Sequence, residues 1–177
     1  MRISGGDARG IKLKVPKGVR PASERVRLAI FSSIASHIPD ANVLDLYCGS
    51  GAYGLEALSR GASSGVFVDD DGTALAACRA NASAIGVADR VHVKKAPVER
   101  YLARGRDGVF DLVFIDPPYR ATPDLHRLAA LLAADALVVL EMRWRDEPPP
   151  EADGLVVAAD RRYGDTRVLT FSTSGAR

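Results

Sequence analysis

The stretch VLDLYCGSGAYGLEALSRGASSGVFVD, residues 43–69, joins two apolar segments through a glycine-rich loop. The first apolar segment (43–47) and the second (65–69) have the short run of apolar side chains that is typical of buried strands. The segment between them, residues 53–60, suits a helix that begins just after the loop. A strand, a helix and a second strand in this order predict two parallel strands joined by a helix.

The same alternation continues along the rest of the chain. The predicted strands are residues 43–47, 65–69, 90–94, 109–115, 136–141, 155–159 and 167–172, and the predicted helices are 53–60, 72–85, 98–103 and 123–133. Strands that alternate with helices form a parallel sheet with helices on both faces. The last two strands bracket a Tyr163-Gly164-Asp165 turn and suit a hairpin. The predicted fold class is therefore α/β, with a seven-stranded, mostly parallel sheet.

The N-terminal segment precedes this alternation. Residues 2–4 and 11–15 flank two glycine-containing pairs, which suits a small β-hairpin outside the main sheet. Ser23 can cap a helix whose apolar side chains recur at helical spacing until Pro39. We therefore divide the chain into a basic hairpin extension, residues 1–20, and a main domain, residues 21–177. Apolar helix positions expected in the core are Leu28, Phe31, Ile34, Leu55, Leu58, Leu75 and Leu128.

Composition limits the class of protein. A chain of 177 residues with 47% hydrophobic content can bury one good core. It has neither a long apolar run nor a signal-peptide pattern, so we expect a cytoplasmic protein without a membrane span. Cys48 and Cys78 lack metal-ligand spacing and are expected to be reduced thiols, with neither a disulfide nor a metal site. The three histidines share no motif, and we propose no catalytic histidine.

Charge is unevenly distributed along the chain. The net charge is +2, but residues 1–30 carry eight basic and two acidic side chains, a local +6 that leaves −4 for the rest. A basic segment on a mildly acidic body favours a polyanion such as nucleic acid, because Lys and Arg bind phosphates. The alternative is a basic arm that is only solvated. The candidate RNA-binding residues are Arg9, Lys12, Lys14, Arg20, Arg25 and Arg27; for Arg25 and Arg27, surface solubility is an equally good explanation.

The glycine loop should lie at the carboxyl ends of the strands, where open parallel sheets bind ligands. Gly49, Gly51 and Gly54 match G-x-G-x-x-G, and Asp69 follows Gly49 by 20 residues, which fits a nicotinamide-dependent oxidoreductase. Asp45, however, lies four residues before Gly49 and would repel a pyrophosphate. A carboxylate there suits a cationic amine or a sulfonium, so S-adenosylmethionine is the favoured ligand, with Asp69 accepting its ribose hydroxyls.

A second motif, FDLVFIDPPY at residues 110–119, places Asp116 at the end of a buried strand. Pro117 and Pro118 cannot donate sheet hydrogen bonds and have a fixed φ, so the chain leaves the sheet in a stiff, extended conformation. An ordinary turn would also explain these residues. The binding of NAD would leave the motif unexplained.

These motifs together resemble a known family. DLYCGSGAYG resembles motif I of the class I, Rossmann-like S-adenosylmethionine-dependent methyltransferases, and DPPY resembles their motif IV for exocyclic amines. RISGGDARGIKL and RPASERVRLAIF near the N-terminus narrow the resemblance to RsmD-type 16S ribosomal RNA guanine-N2 methyltransferases. The resemblance implies methyl transfer to a guanine amine, with 16S rRNA, in a small ribosomal subunit or its assembly intermediate, as the partner of a monomeric enzyme.

The resemblance also implies a set of site residues. Asp116 and the carbonyl of Pro117 would accept the two N–H groups of the amine, and Tyr119 would stack on the base. The implied cofactor-binding residues are Asp45, Cys48, Gly49, Ser50, Gly51, Asp69, Asp70, Ala96 and Asp116. Lys95 stands where many relatives have Asp, so adenine would be met by backbone groups around Ala96. Asp70 or Asp71 can instead cap the following helix.

Two other interpretations of the motifs remain open. DPPY does not name the base, so an adenine-N6 methyltransferase of RNA or DNA would carry the same residues. A catalytically silent RNA-binding module of the same fold would bind RNA without transferring a methyl group. Glu141 and Tyr163 match the C-terminal pattern of the family, and the sequence assigns a role to neither of them.

Overall fold

The computed structural model describes residues 1–16, 23–105, 108–118, 121, 123–150 and 152–173, and contains one mixed sheet. Its strands are β1 (Asn42–Leu46), β2 (Ser64–Asp69), β3 (Val91–Lys95), β4 (Phe110–Ile115), β5 (Leu132–Arg143), β6 (Leu155–Tyr163) and β7 (Thr166–Thr173). The seven strands have the order β3-β2-β1-β4-β5-β7-β6. Strands β1 to β5 pair in parallel, and β7 lies antiparallel between β5 and β6. The predicted α/β class and terminal hairpin are confirmed.

Helices cover both faces of the sheet. They are α1 (Glu24–Ser33), α2 (Ala52–Ser59), α3 (Gly72–Ala84), α4 (Val98–Arg104) and α5 (Leu125–Ala129), with short 3-10 turns at Ala35–His37 and Ala88–Arg90. Apolar side chains of α1, α2 and α3 form a first core with one face of the sheet, and those of α4 and α5 form a second core with the other. Side chains alternate between these faces along each strand. None of the helices in the described ranges is long and apolar enough to cross a membrane.

The N-terminal hairpin packs on the first core. Hydrogen bonds from the Ile3 amide to the Ile11 carbonyl (3.0 Å) and from the Leu13 amide to the Met1 carbonyl (3.0 Å) hold it together. The hairpin lies outside the sheet, as predicted. Its Ile3 and Leu13 are buried and belong to the first core. Gly6 has φ +75°, and a Cβ there would lie 1.7 Å from the Ser59 carbonyl oxygen of α2. The boundary of the extension at residue 20 stays a prediction, because residues 17–22 lie outside the described part.

Several details of the predicted elements are wrong. Helix α5 spans Leu125–Ala129 instead of residues 123–133, and β5 begins at Leu132 instead of 136, because Leu132 pairs with Phe110 of β4. Helix α1 stops at Ser33, before a 3-10 turn. Ser23 precedes α1 without a capping hydrogen bond from its side chain. Leu28, expected in the core, is 44% exposed, whereas the other six predicted core positions are buried.

Candidate active site at the carboxyl edge of the sheet

Three carboxylates follow one another across the carboxyl edge of the sheet. Leu46 of β1 pairs with Val68 of β2 and with Ile115 of β4, and Ile115 pairs with Leu140 of β5. Asp69, Asp116 and Glu141 each lie one residue beyond these paired positions. Because side chains alternate, all three belong to the face that α1, α2 and α3 cover. The sheet thus brings together three acidic residues from distant parts of the chain.

The glycine loop lies between β1 and α2 and is fixed by Asp69. The two carboxylate oxygens of Asp69 accept hydrogen bonds from the amides of Gly49 (2.8 Å) and Asp71 (2.9 Å). Gly51 has φ +83°, and a Cβ there would lie 2.7 Å from the Cys78 sulfur. The loop therefore needs glycine at this position, both for its conformation and for its close approach to α3. Ser50, another predicted cofactor-binding residue, is buried in the same loop.

Asp45 lies beneath this loop and is only 2% exposed. One of its oxygens accepts a hydrogen bond from the Gly54 amide at 2.8 Å. Burial raises the pKa of its carboxyl well above the ordinary value of 3.8, the Gly54 amide opposes this rise, and the charges of Asp116 and Asp69 add to it. A buried group that is surrounded by carboxylates favours a cationic ligand, which would relieve their mutual repulsion. The residues present therefore fit a sulfonium cofactor with a free amino group.

Replacing Asp45 by Asn tests this arrangement. The folded-state pKa of Asp45 is raised above its unfolded value, so the contribution of Asp45 to the free energy of unfolding falls as pH rises above about 4, whereas an asparagine does not titrate. Asp45→Asn should therefore melt at a higher temperature than wild type at pH 7, with the difference shrinking at pH 4. Its affinity for S-adenosylmethionine should fall about 10- to 100-fold, since a hydrogen bond to a charged group contributes about 1.5 to 3 kcal/mol.

Thermal melts across pH 4 to 8 and calorimetric titration of the cofactor measure the two effects. Asp89→Asn, a change at an exposed aspartate outside the site, is the matched control. If Asp45→Asn bound the cofactor as tightly as wild type does, Asp45 would not lie in the pocket.

The remaining predicted cofactor-binding residues lie in the glycine loop or just after β2 and β3. Asp71, and not Asp70, caps α3 by accepting a hydrogen bond from the Thr73 amide at 2.8 Å. Asp70 is exposed, and the Ala96 amide bonds to the Asp69 carbonyl at 3.0 Å. Ala96 also lines a cavity of about 620 Å³ beside α4. Cys48 is buried, and a hydrogen bond with Cys78, together with burial, raises the pKa of its thiol.

Sequence reasoning missed an aromatic residue beside the carboxylates. Tyr53, in the first turn of α2, stacks on Phe114 with ring centroids 5.3 Å apart, and its hydroxyl donates a hydrogen bond to Glu141. Burial, and next the charge of Glu141, raise the pKa of the Tyr53 hydroxyl, and Asp116 adds to the effect. Asp116 and Pro117 are half-buried beside this pair. In the sequence, the one feature that indicated a role for Tyr53 was its position just after the glycine loop.

The predicted RNA-binding residues separate into three groups. Arg9, Lys12, Lys14 and Arg25 are exposed. Arg20 lies outside the described residues, as does Tyr119. Arg27 has no solvent exposure; it donates to the Arg2 carbonyl and forms an ion pair with Glu56 at 3.7 Å. This burial contradicts the prediction that Arg27 contacts RNA. Among the described residues, no three His, Cys, Asp or Glu side chains are grouped so that they could hold a metal ion.

Comparison with known proteins identifies the family to which this geometry belongs. The family model described as Conserved hypothetical protein 95 matches residues 1–172. The chain is 32% identical over 188 residues to YlbH of Bacillus subtilis, a candidate rRNA methyltransferase, covering 99% of this chain and 100% of that protein. It is 36% identical over 148 residues to ribosomal RNA small subunit methyltransferase D of Escherichia coli K12, covering 80% and 74%.

A solved structure supports the same conclusion about the fold. A candidate methyltransferase from Escherichia coli, yhhF, superposes with a TM-score of 0.87 at 30% identity, and the match covers 100% of this chain and 99% of that one. A candidate methylase from Haemophilus influenzae superposes with a TM-score of 0.80 at 25% identity, covering 97% of each. With the observed strand order, this likeness confirms the predicted class I methyltransferase fold.

Proposed function

We propose a reaction for this chain, which belongs to the family described as Conserved hypothetical protein 95, the RsmD family. As a member, it is an S-adenosylmethionine-dependent methyltransferase that acts on ribosomal RNA. The proposed reaction transfers the methyl group to the exocyclic N2 amine of a guanine in 16S rRNA of the small ribosomal subunit. The observation that carries the proposal is the placement of Asp116-Pro117 next to Asp45 and Asp69, which form an acidic cluster beneath the glycine loop.

The acidic cluster supports the choice of cofactor. Asp45 is buried below the loop, and Asp69 holds the Gly49 amide beside it. S-adenosylmethionine would supply a methyl carbon made electrophilic by its positive sulfur, and this charge suits a pocket of carboxylates. We assign Asp45 to the amino group of the methionine part and Asp69 to the ribose. Cys48, Gly49, Ser50, Gly51, Asp70 and Ala96 would complete the pocket, with backbone groups around Ala96 meeting the adenine.

Asp116 and Pro117 are proposed to prepare the amine. The lone pair of guanine N2 is delocalised into the ring, so the nitrogen is a poor nucleophile. If Asp116 accepts one N–H and the Pro117 carbonyl the other, the nitrogen is pulled towards tetrahedral geometry and its lone pair becomes available. The N–C bond forms as the S–C bond breaks, S-adenosylhomocysteine leaves, and the nitrogen releases a proton to Asp116 or to water.

Tyr119 is proposed to hold the extracted base in place. A base that is modified at its Watson–Crick edge must leave its helix or lie in a single strand, and an aromatic face stabilises it there by about 1 to 3 kcal/mol. Action as a monomer in the cytoplasm, and an assembled subunit or its intermediate as the substrate, remain predictions of the sequence.

The exposed basic residues of the N-terminal part are proposed to bind the RNA backbone. The affinity K for RNA falls as salt rises. Lys12→Ala combined with Arg25→Ala should make the plot of log K against log salt less steep, by about 0.7 to 0.9 for each phosphate that the variant no longer neutralises. Filter binding to small-subunit rRNA at several salt concentrations measures the slope. Arg127→Gln, an exposed change on the second face, should leave the slope as it is. An unchanged slope in the double variant would remove Lys12 and Arg25 from the interface.

The proposed reaction is tested by product analysis. The protein is incubated with S-adenosylmethionine carrying a labelled methyl group and with small-subunit rRNA that lacks methylation, free or assembled into subunits. Nucleoside mass spectrometry should find the label in N2-methylguanosine, with large-subunit rRNA as the control RNA. Label in N6-methyladenosine would favour the adenine alternative, and RNA binding without any label would favour the silent binding module.

A further inference from the structure

Asp116 has an acidic neighbour on the next strand of the sheet. Ile115 of β4 and Leu140 of β5 are paired, so Asp116 and Glu141 occupy the next position on two adjacent parallel strands. Neighbouring strands lie about 4.8 Å apart, and both side chains belong to the same face. Two carboxylates therefore lie on neighbouring strands at the same face of the sheet.

Tyr53 fixes the position of Glu141. Its hydroxyl donates a hydrogen bond to one Glu141 oxygen, and its ring packs against Phe31 (centroids 6.2 Å apart) and Phe114 (5.3 Å apart), which also contact each other. An ionised carboxylate can accept about four hydrogen bonds in all, so the bond from Tyr53 uses only part of the accepting capacity of Glu141. The Tyr53 hydroxyl also feels the charge of Asp116, which places all three groups within one site.

We propose that Glu141 accepts the N1–H of the target guanine and thereby selects guanine over adenine. This inference rests on the proposed function. Guanine presents two adjacent donors on its Watson–Crick edge, the N1–H and the N2 amine. In the orientation that we propose, the amine lies at Asp116 and Pro117 and the N1–H faces the neighbouring strand, where Glu141 lies. Adenine presents an unprotonated N1 next to its amine, and that lone pair would face a carboxylate with no proton between them.

The experiment compares guanine with 2-aminopurine, which keeps the C2 amine but has an unprotonated N1. The substrate is small-subunit rRNA, free or assembled as wild type requires, in which the methylated guanine, once located, is replaced by 2-aminopurine through ligation of a synthetic segment. The measured quantity is the ratio of kcat/KM for guanine to kcat/KM for 2-aminopurine. Wild type should prefer guanine by about 100-fold or more, because a site built around a donor rejects an analogue that lacks it.

Glu141→Gln separates recognition from a merely structural role. The glutamine amide can donate a hydrogen bond to N1 of 2-aminopurine, so the ratio should fall by at least about 10-fold. Structural damage would slow both substrates equally, and any intrinsic difference between the two amines cancels when the variants are compared. Tyr53→Phe keeps the ring packing and loses the hydroxyl, so its ratio should lie between those of wild type and Glu141→Gln.

Calorimetric titration of S-adenosylmethionine confirms that each variant is folded. Ratios that are equal in wild type, Glu141→Gln and Tyr53→Phe would overturn the inference while leaving the proposed reaction intact. If Glu141→Gln does not fold, equal rates for the two bases with wild type alone would overturn it. A wild-type protein that methylates no guanine would overturn the proposed function, and the role of Glu141 with it.

Discussion

Replacing Asp116 by Asn is expected to lower the rate of methyl transfer about 1,000-fold, as does the loss of a well-placed group that stabilises a transition state. The affinity for S-adenosylmethionine should stay within a few-fold of wild type. An asparagine fits the same space, but it accepts hydrogen bonds more weakly than a carboxylate does and can present an N–H towards the amine. The damage should therefore fall on the step in which the nitrogen attacks the methyl carbon.

Single-turnover kinetics at saturating cofactor and RNA measure this rate, and calorimetry measures the affinity. Asp111→Asn is the matched control, because Asp111 lies on the same strand at its far end and accepts a hydrogen bond from the Asn42 amide at 2.8 Å. That variant should keep its turnover. If Asp116→Asn also kept its turnover, the amine would not be held by this carboxylate.

Replacing Glu56 by Gln is expected to lower the free energy of unfolding by about 3 to 5 kcal/mol, the usual loss when one partner of a buried ion pair is removed. Glu56 has no solvent exposure. It accepts hydrogen bonds from the Ser4 amide (2.8 Å) and hydroxyl (2.6 Å) and from Arg60 (2.8 Å). It also faces Arg27, which is equally buried. A glutamine would leave the Arg27 charge buried without a compensating carboxylate.

Urea unfolding followed by circular dichroism measures this loss. Glu24→Gln makes the same chemical change at an exposed position of α1 and should alter the free energy of unfolding by less than about 1 kcal/mol. Equal stability of the two variants would show that the N-terminal hairpin, α1 and α2 are not tied together through Glu56.

Arg27 illustrates a limit of predictions made from residue type. Its spacing to Phe31 and Ile34, four and seven residues on, places it on the apolar stripe of α1, and the structure buries it there. A charged residue on such a stripe indicates a buried partner, but the sequence does not say which one. Glu56 lies 29 positions away, on α2. Only the packing of α1 on α2 shows that Arg27 lies in the interior and faces Glu56.

The strands near the site were predictable, whereas the relation between them was not. The glycine loop and Asp116 follow from local patterns, because apolar runs end at them, and Asp45 is the one charged residue within the first of these runs. Whether Asp116 and Glu141 lie side by side depends on the register of β4 against β5. That register shifts between Phe110 and Leu112, where β5 begins four residues earlier than predicted. Such a shift leaves no local signal, so the sequence could name Glu141 without assigning it a role.

The central claim is that the carboxylate of Asp116 holds the amine of a guanine beside the methyl donor. A structure of the protein with S-adenosylhomocysteine and an RNA that contains the target guanine tests it most directly. The distance from the nearer Asp116 oxygen to guanine N2 should be below about 3.2 Å, as in an N–H···O hydrogen bond. If that nitrogen lies beyond hydrogen-bond reach of Asp116 while the cofactor occupies the glycine-loop pocket, the account is contradicted.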